Sequence, residues 1–334
     1  MNAAKIAAGI VLLAGCGGLQ TAGGGFAALP QVPPPRHQLA FGNSWMDAGA
    51  ASHDLLYVTN ENGVVNVYRY WQHTLEGVLT DFKDPQGECA DAAGNVYIAD
   101  NGANKLFEYA HGGKSPIRTI DVSPNSPFGC AVNIKNGDLA VANFNYDNST
   151  RGNIEIFRHA KGKPVVYSDR YLLGFQSLAY DGRGDLLATN GTGYDSSYYG
   201  AQFVYLPKNG IKLIAIEFCP STSCGYYGAV QGIQWDGKYW VFANYSYLLR
   251  WTIVNNQSQF VDEILLNGAY EEGIGPFWLY RKNLKGPATQ IVASSDFESR
   301  QAVFYWKYPG GGNPVGSLTK DLAVPFSVVG SLKP

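Results

Sequence analysis

The sequence predicts an all-β fold built from six similar units, and three observations support this prediction. Forty Gly, 22 Tyr, 16 Phe and 7 Trp stand against 16% charged residues, a composition that suits many strands and tight turns. Strand-like runs end in a small polar residue six times, at Asn60, Asp100, Asn143, Asn190, Asn244 and Ser294. The intervals between these residues are 40, 43, 47, 54 and 50 residues. Such a period, with several short strands per unit, is typical of a β-propeller.

The N-terminus has the layout of an export signal. "MNAAKIAAGIVLLAGC" places one charge, Lys5, before an apolar run that is too short to span a bilayer. Residues 13–16, "LAGC", resemble the lipobox of bacterial lipoproteins, which implies cleavage before Cys16 and lipid attached to its thiol. The alternative is an ordinary secretory peptide in which small residues happen to precede a cysteine. We therefore expect residues 1–15 to be a lipoprotein signal peptide.

The next segment, residues 16–40, is rich in Gly and then Pro and lacks periodicity, which predicts a flexible tether. The folded part is then 41–334, long enough for one large all-β domain or two ordinary ones. The repeat favours a single six-bladed β-propeller. We expect a monomer in the bacterial cell envelope, in the periplasm or at the cell surface, that touches the membrane only through its lipid.

Each unit predicts a blade of four antiparallel strands. The inner strands are expected in "PQGECAD", "PFGCAVN", "FQSLAYD", "VQGIQWD" and "GPFWLY", which supply only five blades. The sixth is expected in "PFSVVGS", from Pro325, because it copies the start of "PFGCAVN". The C-terminal strand would then close the ring beside the N-terminal strands and remove an exposed sheet edge. Residues 44–47 are the second candidate for this role.

Four cysteines follow Cys16, an even number in a chain with an export signal. Four thiols allow three pairings. We favour Cys219 with Cys224, because "CPSTSC" is a short polar loop, which leaves Cys89 with Cys130. The alternative for the latter two is a pair of buried free thiols.

Charge and motifs exclude several classes of function. The formal net charge is −2 and there is no basic cluster, so we expect no nucleic-acid partner. His73, His111 and His159 fall in or beside the turns between third and fourth strands, on the face opposite the usual propeller site. The sequence contains no Ser-His-Asp set, HExxH helix, CxxC pair or phosphate-binding glycine loop. We therefore assign no catalytic residue.

The motifs "PxG", "GNVYIAD" and "NKLFEY" of the second unit resemble the NHL repeat, and the six-unit ring is similar to the SMP-30/gluconolactonase-like propellers. The lactonases of that group hold a divalent cation such as Ca²⁺ at the top of the channel, with carboxylate and Asn ligands. The resemblance thus implies a metal-dependent hydrolase as one alternative. The corresponding positions of this chain read "PQG", "PFG", "FQS", "VQG" and "GPF", which lack the expected carboxylates.

Glu88 is the ionised residue that lies within a predicted inner strand. It is a candidate metal ligand, with further donors expected from Asn143, Asn190, Glu271 or Glu272. The other interpretation is a structural carboxyl with a hydrogen-bonded partner, which we favour. We therefore expect no cofactor, with Ca²⁺ as the alternative.

Two sets of residues are candidate binding groups. Gln86, Gln176 and Gln231 occupy the same place in three inner strands, so their amides either converge at one channel mouth or bond to neighbouring backbone. The longest loops on the same face carry Tyr146, Tyr194, Tyr198, Tyr199, Tyr226 and Tyr227, which either form a binding surface or fold back over the blades. The sequence therefore favours a non-catalytic binding or scaffold propeller with a protein or glycan partner on this face.

Overall fold

Short β-strands form nearly all of the regular structure. The computed structural model describes residues 42–144, 151–168, 174–190, 203–218, 230, 232–269, 273–282, 286–295 and 302–333, within one unit of the chain that spans 34–334. Across these ranges there is no α-helix, and three short 3₁₀ turns lie at Ala50–Ser52, Asn101–Ala103 and Arg158–Ala160. Within them no helix has the length and apolar character needed to span a bilayer.

The strands of the described ranges form six antiparallel sheets, each of which extends from an inner strand to an outer strand. From inside to outside, blade 1 contains β25 (Pro325–Ser331), β2 (Leu55–Asn60), β3 (Val64–Arg69), β4 (Thr74–Leu79) and β1 (Trp45–Met46). Blade 2 contains β5 (Pro85–Ala90), β6 (Val96–Asp100), β7 (Lys105–Tyr109) and β8 (Pro116–Asp121). Blade 3 contains β9 (Pro127–Val132), β10 (Leu139–Asn143), β11 (Ile154–Phe157) and β12 (Val165–Tyr167).

The other three blades follow the same order. Blade 4 contains β13 (Phe175–Tyr180), β14 (Leu186–Asn190), β15 (Phe203–Leu206) and β16 (Ile214–Ile216). Blade 5 contains β17 (Gly232–Trp235), β18 (Trp240–Asn244), β19 (Tyr247–Val254) and β20 (Gln257–Leu265). Blade 6 contains β21 (Ile274–Arg281), β22 (Ala288–Ser295), β23 (Val303–Lys307) and β24 (Gly311–Leu318).

The blades are arranged in a ring. Each inner strand contacts the next, from β5 through β9, β13, β17 and β21 to β25, and β25 contacts β5 again. The fold is therefore a six-bladed β-propeller, as the repeat predicted. We call the face at which the inner strands begin the upper face, and the face at which they end the lower face.

The C-terminal strand closes the ring, as predicted. β25 pairs antiparallel with β2, from Leu55 opposite Ser331 to Asn60 opposite Pro325. The Thr59 hydroxyl joins three strands, because it donates to the Gln86 carbonyl at 2.9 Å and accepts from the Ser327 amide at 3.1 Å. Closure therefore combines a full strand ladder with side-chain bonds between blades 1 and 2.

The second candidate for the closing strand, residues 44–47, is wrong for that role. Its central residues form β1, which pairs with the outermost strand β4, with Trp45 opposite Val78 and Met46 opposite Gly77. The inner position beside β2 is already filled by the seven residues of β25, and β1 has only two residues. Blade 1 thus gains a fifth strand that covers the outer edge of β4.

Packing between blades explains why the second strands are continuous apolar runs. Every residue of β2, "LLYVTN", is buried, because both faces of a central blade strand meet neighbouring blades. Large aromatic rings fill the same spaces elsewhere, and Trp240, Trp251 and Trp306 are at most 1% exposed. Such rings bury large apolar areas, each contributing a few kcal/mol to folding.

Aspartates at the ends of inner strands shape the turns to the second strands. Asp91, Asp181 and Asp236 each accept a bond from the backbone amide two residues on, at 2.7 to 2.9 Å. This Asx geometry favours a tight reversal of the chain. The lower face is therefore built from short, internally bonded turns.

Candidate functional site

The inner strands line a cavity of about 200 Å³ on the axis of the ring. A row of small residues brings these strands close together: Gly87, Gly129, Ser177, Gly232, Gly275 and Ser327. A Cβ at Gly87 would lie 2.7 Å from the Phe128 carbonyl oxygen of the next blade, so only glycine fits there. The "PxG" pattern therefore sets the width of the channel.

Two of the three glutamines that were expected to converge at the channel mouth lie in the described part of the chain. Gln86 turns toward its own strand connection, where its Nε2 donates to Asp84 Oδ1 at 2.7 Å. Gln176 is half-buried and lines the cavity, whereas Gln231 lies outside the described residues.

Phenyl rings stand at the same upper end of the channel. Phe128 and Phe326 occupy the position of Gln86 in the two strands that flank it. Their ring centroids are 5.6 Å apart in an edge-to-face arrangement. An aromatic contact thus joins the inner strands of blades 1 and 3 at the end of the channel where the amides were expected to converge.

Glu88 lies in the wall of the channel with a buried carboxyl group. The residue is 9% exposed, and among the described residues neither carboxylate oxygen has a hydrogen-bond partner. Burial raises the pKa of Glu88 well above its usual value, and the backbone amide of Thr59 opposes this shift in part. The carboxyl therefore favours its uncharged form.

Most of the donors expected beside Glu88 lie outside the described residues, so the predicted metal site stays a prediction. No three His, Cys, Asp or Glu side chains of the described ranges come together as a possible metal site. Asn143 Nδ2 donates to Asn153 Oδ1 at 2.7 Å, while its own Oδ1 is buried and has no partner among the described residues. The side chain of Asn190, and both Glu271 and Glu272, lie outside the part of the chain that the structure describes.

A disulfide joins Cys89 of β5 to Cys130 of β9, as predicted. The two residues are at most 8% exposed and link the inner strands of blades 2 and 3. Free thiols at these two positions are therefore the wrong alternative. Cys219 and Cys224, like the lipidation candidate Cys16, lie outside the described residues.

The predicted tyrosine loops also lie outside the described residues: Tyr146, Tyr194, Tyr198, Tyr199, Tyr226 and Tyr227. The structure adds two tyrosines that the sequence did not single out. Tyr245 and Tyr247 lie at the turn between β18 and β19 on the upper face, and they are 49% and 37% exposed. Their position after "WVFAN", where a turn must follow the second strand, was the available signal.

The histidines are held by local contacts on the lower face. His111 bonds to the Ser331 hydroxyl at 2.6 Å and to the His53 carbonyl at 2.9 Å, so it ties blade 2 to the end of the closing strand. His73 stacks on Tyr305 with centroids 4.6 Å apart, and His159 bonds to the Asn136 carbonyl. Burial lowers the pKa of His73 and of His111.

Comparison with solved structures agrees with this architecture. A chain of the nidogen/laminin complex superposes with a TM-score of 0.62 at 13% identity, over 84% of this chain and 98% of that one. A Bacteroides caccae protein of unknown function gives 0.59 at 10% identity, over 84% and 99%. A functionally unknown protein from Desulfotomaculum acetoxidans gives 0.54 at 10%, over 84% and 100%. No protein-family model and no curated protein sequence matches the chain. These likenesses define the class of fold, a β-propeller, which serves many unrelated functions.

Proposed function

We propose that this protein is a non-catalytic binding or scaffold propeller, held at the bacterial envelope by lipid on Cys16, with a protein or glycan partner on its upper face. The observation that carries the proposal is the exposure of Tyr245 and Tyr247 on that face. Tyrosine gives a large contact area and a hydroxyl group at small entropic cost. The tyrosine-rich loops predicted for blades 3 to 5 would extend the same surface.

The architecture supports a binding role. The closed ring fixes the upper-face turns on a rigid scaffold, and the rings of Phe128 and Phe326 pack together at the upper end of the channel. The nidogen/laminin complex, a chain of which has a similar fold, is an assembly of different proteins. We take this as support for a protein partner.

Binding assays on surface variants test the proposal. Wild-type protein, Tyr198/Tyr199→Ala and Tyr245/Tyr247→Ala would be compared on a glycan array and in cross-linked capture of envelope proteins. Ile211→Ala is the control, because Ile211 is 92% exposed in the lower-face turn after β15. We expect the tyrosine variants to lose a specific partner that the control retains. Equal capture by all four proteins would contradict an upper-face site.

The lipid anchor has its own test. A mass measurement of the mature N-terminus is expected to show a lipid-modified Cys16, and Cys16→Ser is expected to move the protein from the membrane to the soluble fraction. An unmodified N-terminus at another residue would contradict the anchor and leave the binding surface untouched.

A metal-dependent lactonase is the second candidate, and one observation favours it. Glu88 and Asn143 both carry buried oxygens without partners in the described ranges, and such oxygens suit a hard divalent cation. Calorimetric titration with Ca²⁺ and a lactone-hydrolysis assay, on wild type and Glu88→Gln, test it. Binding and hydrolysis that both disappear in the variant would favour the enzyme over the scaffold.

A further inference from the structure

A polar cavity of about 500 Å³, which we call the groove, opens on the lower face between blades 1 and 6. Its walls come from the turn between β3 and β4, the segment before β2, the end of β21 and the start of β22. It lies on the opposite face from the tyrosine surface, and its role does not depend on the function proposed above. A cavity of this size falls within the range of small-ligand sites.

Trp71 in the turn between β3 and β4 is held in an unfavourable backbone conformation. Its φ is 72°, in the left-handed region that bulky side chains avoid, at a cost of about 1–3 kcal/mol. The equivalent turns of blades 2, 4, 5 and 6 use Gly or Asn at such positions: Gly112, Asn209, Asn255, Asn256, Gly311 and Gly312. Blade 3 uses His159, Ala160 and Gly162.

The strained turn presents the indole ring of Trp71 to solvent. The residue is 48% exposed, although its ring centroid lies 6.0 Å from that of Tyr305, with the two planes nearly perpendicular. Tyr305 thus limits the freedom of an indole that remains half open. The backbone angle disfavours tryptophan at this position, and the side chain is not fully buried. A function of the exposed indole ring would explain why tryptophan is present.

The facing wall of the groove is a fixed set of hydrogen-bonding groups. Tyr70 stacks on Tyr280 with centroids 5.2 Å apart, and its hydroxyl donates to Gln290 Oε1. This bond occupies the Gln290 Oε1, so the NH₂ group is the part of this lining amide that can donate to a ligand. Planar polar groups therefore lie close to an exposed aromatic ring.

Charges around the groove are balanced. Glu76 is 2% exposed and accepts from Arg69 Nε at 2.5 Å and from His53 Nδ1 at 3.0 Å. Asp54 accepts from the Lys333 backbone amide at 3.0 Å. Arg69 and Lys333 thus supply two formal positive charges around the groove, and Glu76 and Asp54 supply two negative ones. A phosphate-rich or other polyanionic ligand would find no excess of positive charge in this groove.

We propose that this groove binds a neutral saccharide, with one sugar ring stacked on Trp71. The apolar C–H face of a pyranose packs on an open indole, and its hydroxyl groups accept from Gln290 Nε2 and the other polar groups of the wall. Balanced charge and an exposed aromatic ring whose motion is limited by Tyr305 suit a ligand of this kind. The site gives the lower face a recognition role of its own.

Titration with neutral oligosaccharides tests the proposal. Tetramers of glucose, mannose, galactose and N-acetylglucosamine would be titrated against the full protein, with tryptophan fluorescence and saturation-transfer NMR as readouts. We expect at least one tetramer to bind, with affinity lowered at least tenfold by Trp71→Ala and clearly lowered by Gln290→Ala. Trp45→Ala is the matched control, because Trp45 is 41% exposed on the outer edge of the same blade.

A second variant separates binding from folding. Trp71→Gly places at φ 72° the residue that adopts this angle freely, so we expect an unchanged or higher Tm together with loss of binding. The proposal is overturned if no neutral tetramer binds, if Trp71→Gly binds as tightly as wild type, or if an acidic oligosaccharide or proline-rich peptide is preferred. Loss of binding in Tyr245/Tyr247→Ala instead would also overturn it, because the sugar site would then lie on the upper face.

Discussion

Reduction of the Cys89–Cys130 disulfide is expected to lower the stability of the whole ring. The bond links residues 41 apart, and loop-closure entropy for that span stabilises the folded state by about 4 kcal/mol at 25 °C. This is a large part of the roughly 5–15 kcal/mol that stabilises a typical domain. For a folded part of this length we expect Tm to fall by about 7 °C. The effect reaches all blades because the bond joins two inner strands of a closed ring.

The assay is thermal and denaturant unfolding, followed by tryptophan fluorescence, with and without a phosphine reductant. Wild type and Cys219/Cys224→Ala are expected to lose the same stability on reduction, whereas Cys89/Cys130→Ala is expected to start low and respond little. Alkylation and mass spectrometry confirm which thiols are free. The reasoning is refuted if Cys89 and Cys130 become alkylated while the Tm of the wild type stays within about 1 °C of its oxidised value.

Three further predictions concern the ring and its channel. Deletion of residues 323–334 removes the partner of β2 and is expected to abolish cooperative unfolding, whereas a truncated chain that melts like wild type would disprove the closure. Glu88→Gln is expected to raise Tm at neutral pH. Because burial raises the pKa of Glu88 in the folded state, the unfolded chain loses its proton first as pH rises above about 4.5, and stability falls by up to about 1.4 kcal/mol per pH unit until the folded pKa is reached. The advantage of the variant should therefore vanish in acid, and a gain that persists below pH 4 would contradict this cause. Gly129→Ala would place a Cβ against the Gln176 carbonyl and is expected to cost about 1–3 kcal/mol in denaturant unfolding, while Gly310→Ala, with open space around it, should be near neutral.

The sequence predicted the architecture well because a propeller repeats its local patterns. The six polar residues that end the second strands predicted the number of blades. The similarity of "PFS" at Pro325 to "PFG" identified the closing strand. The pairing of Cys89 with Cys130 followed from removing the local "CPSTSC" pair. Each of these patterns consists of residues that are adjacent in sequence, so it can be recognised before the fold is known.

The candidate sites were harder to predict, because they depend on which side chains meet in three dimensions. Gln86 shares its position with Phe128 and Phe326, and only the structure shows that phenyl rings meet there while the amide turns to Asp84. The role of Trp71 depends on its φ angle and exposure, neither of which a single letter reveals. The comparison of six equivalent turns was the signal that could have found it.

The closing strand also determines when the unpaired edge of β2 ceases to be exposed to other molecules. β2 is synthesised well before its partner β25, so a growing chain carries an open strand edge until β25 has been made and paired. Loss of β25 by proteolysis would leave the edge of β2 open as a template for pairing between molecules. The closing strand thus protects the protein against pairing between molecules as well as completing the ring.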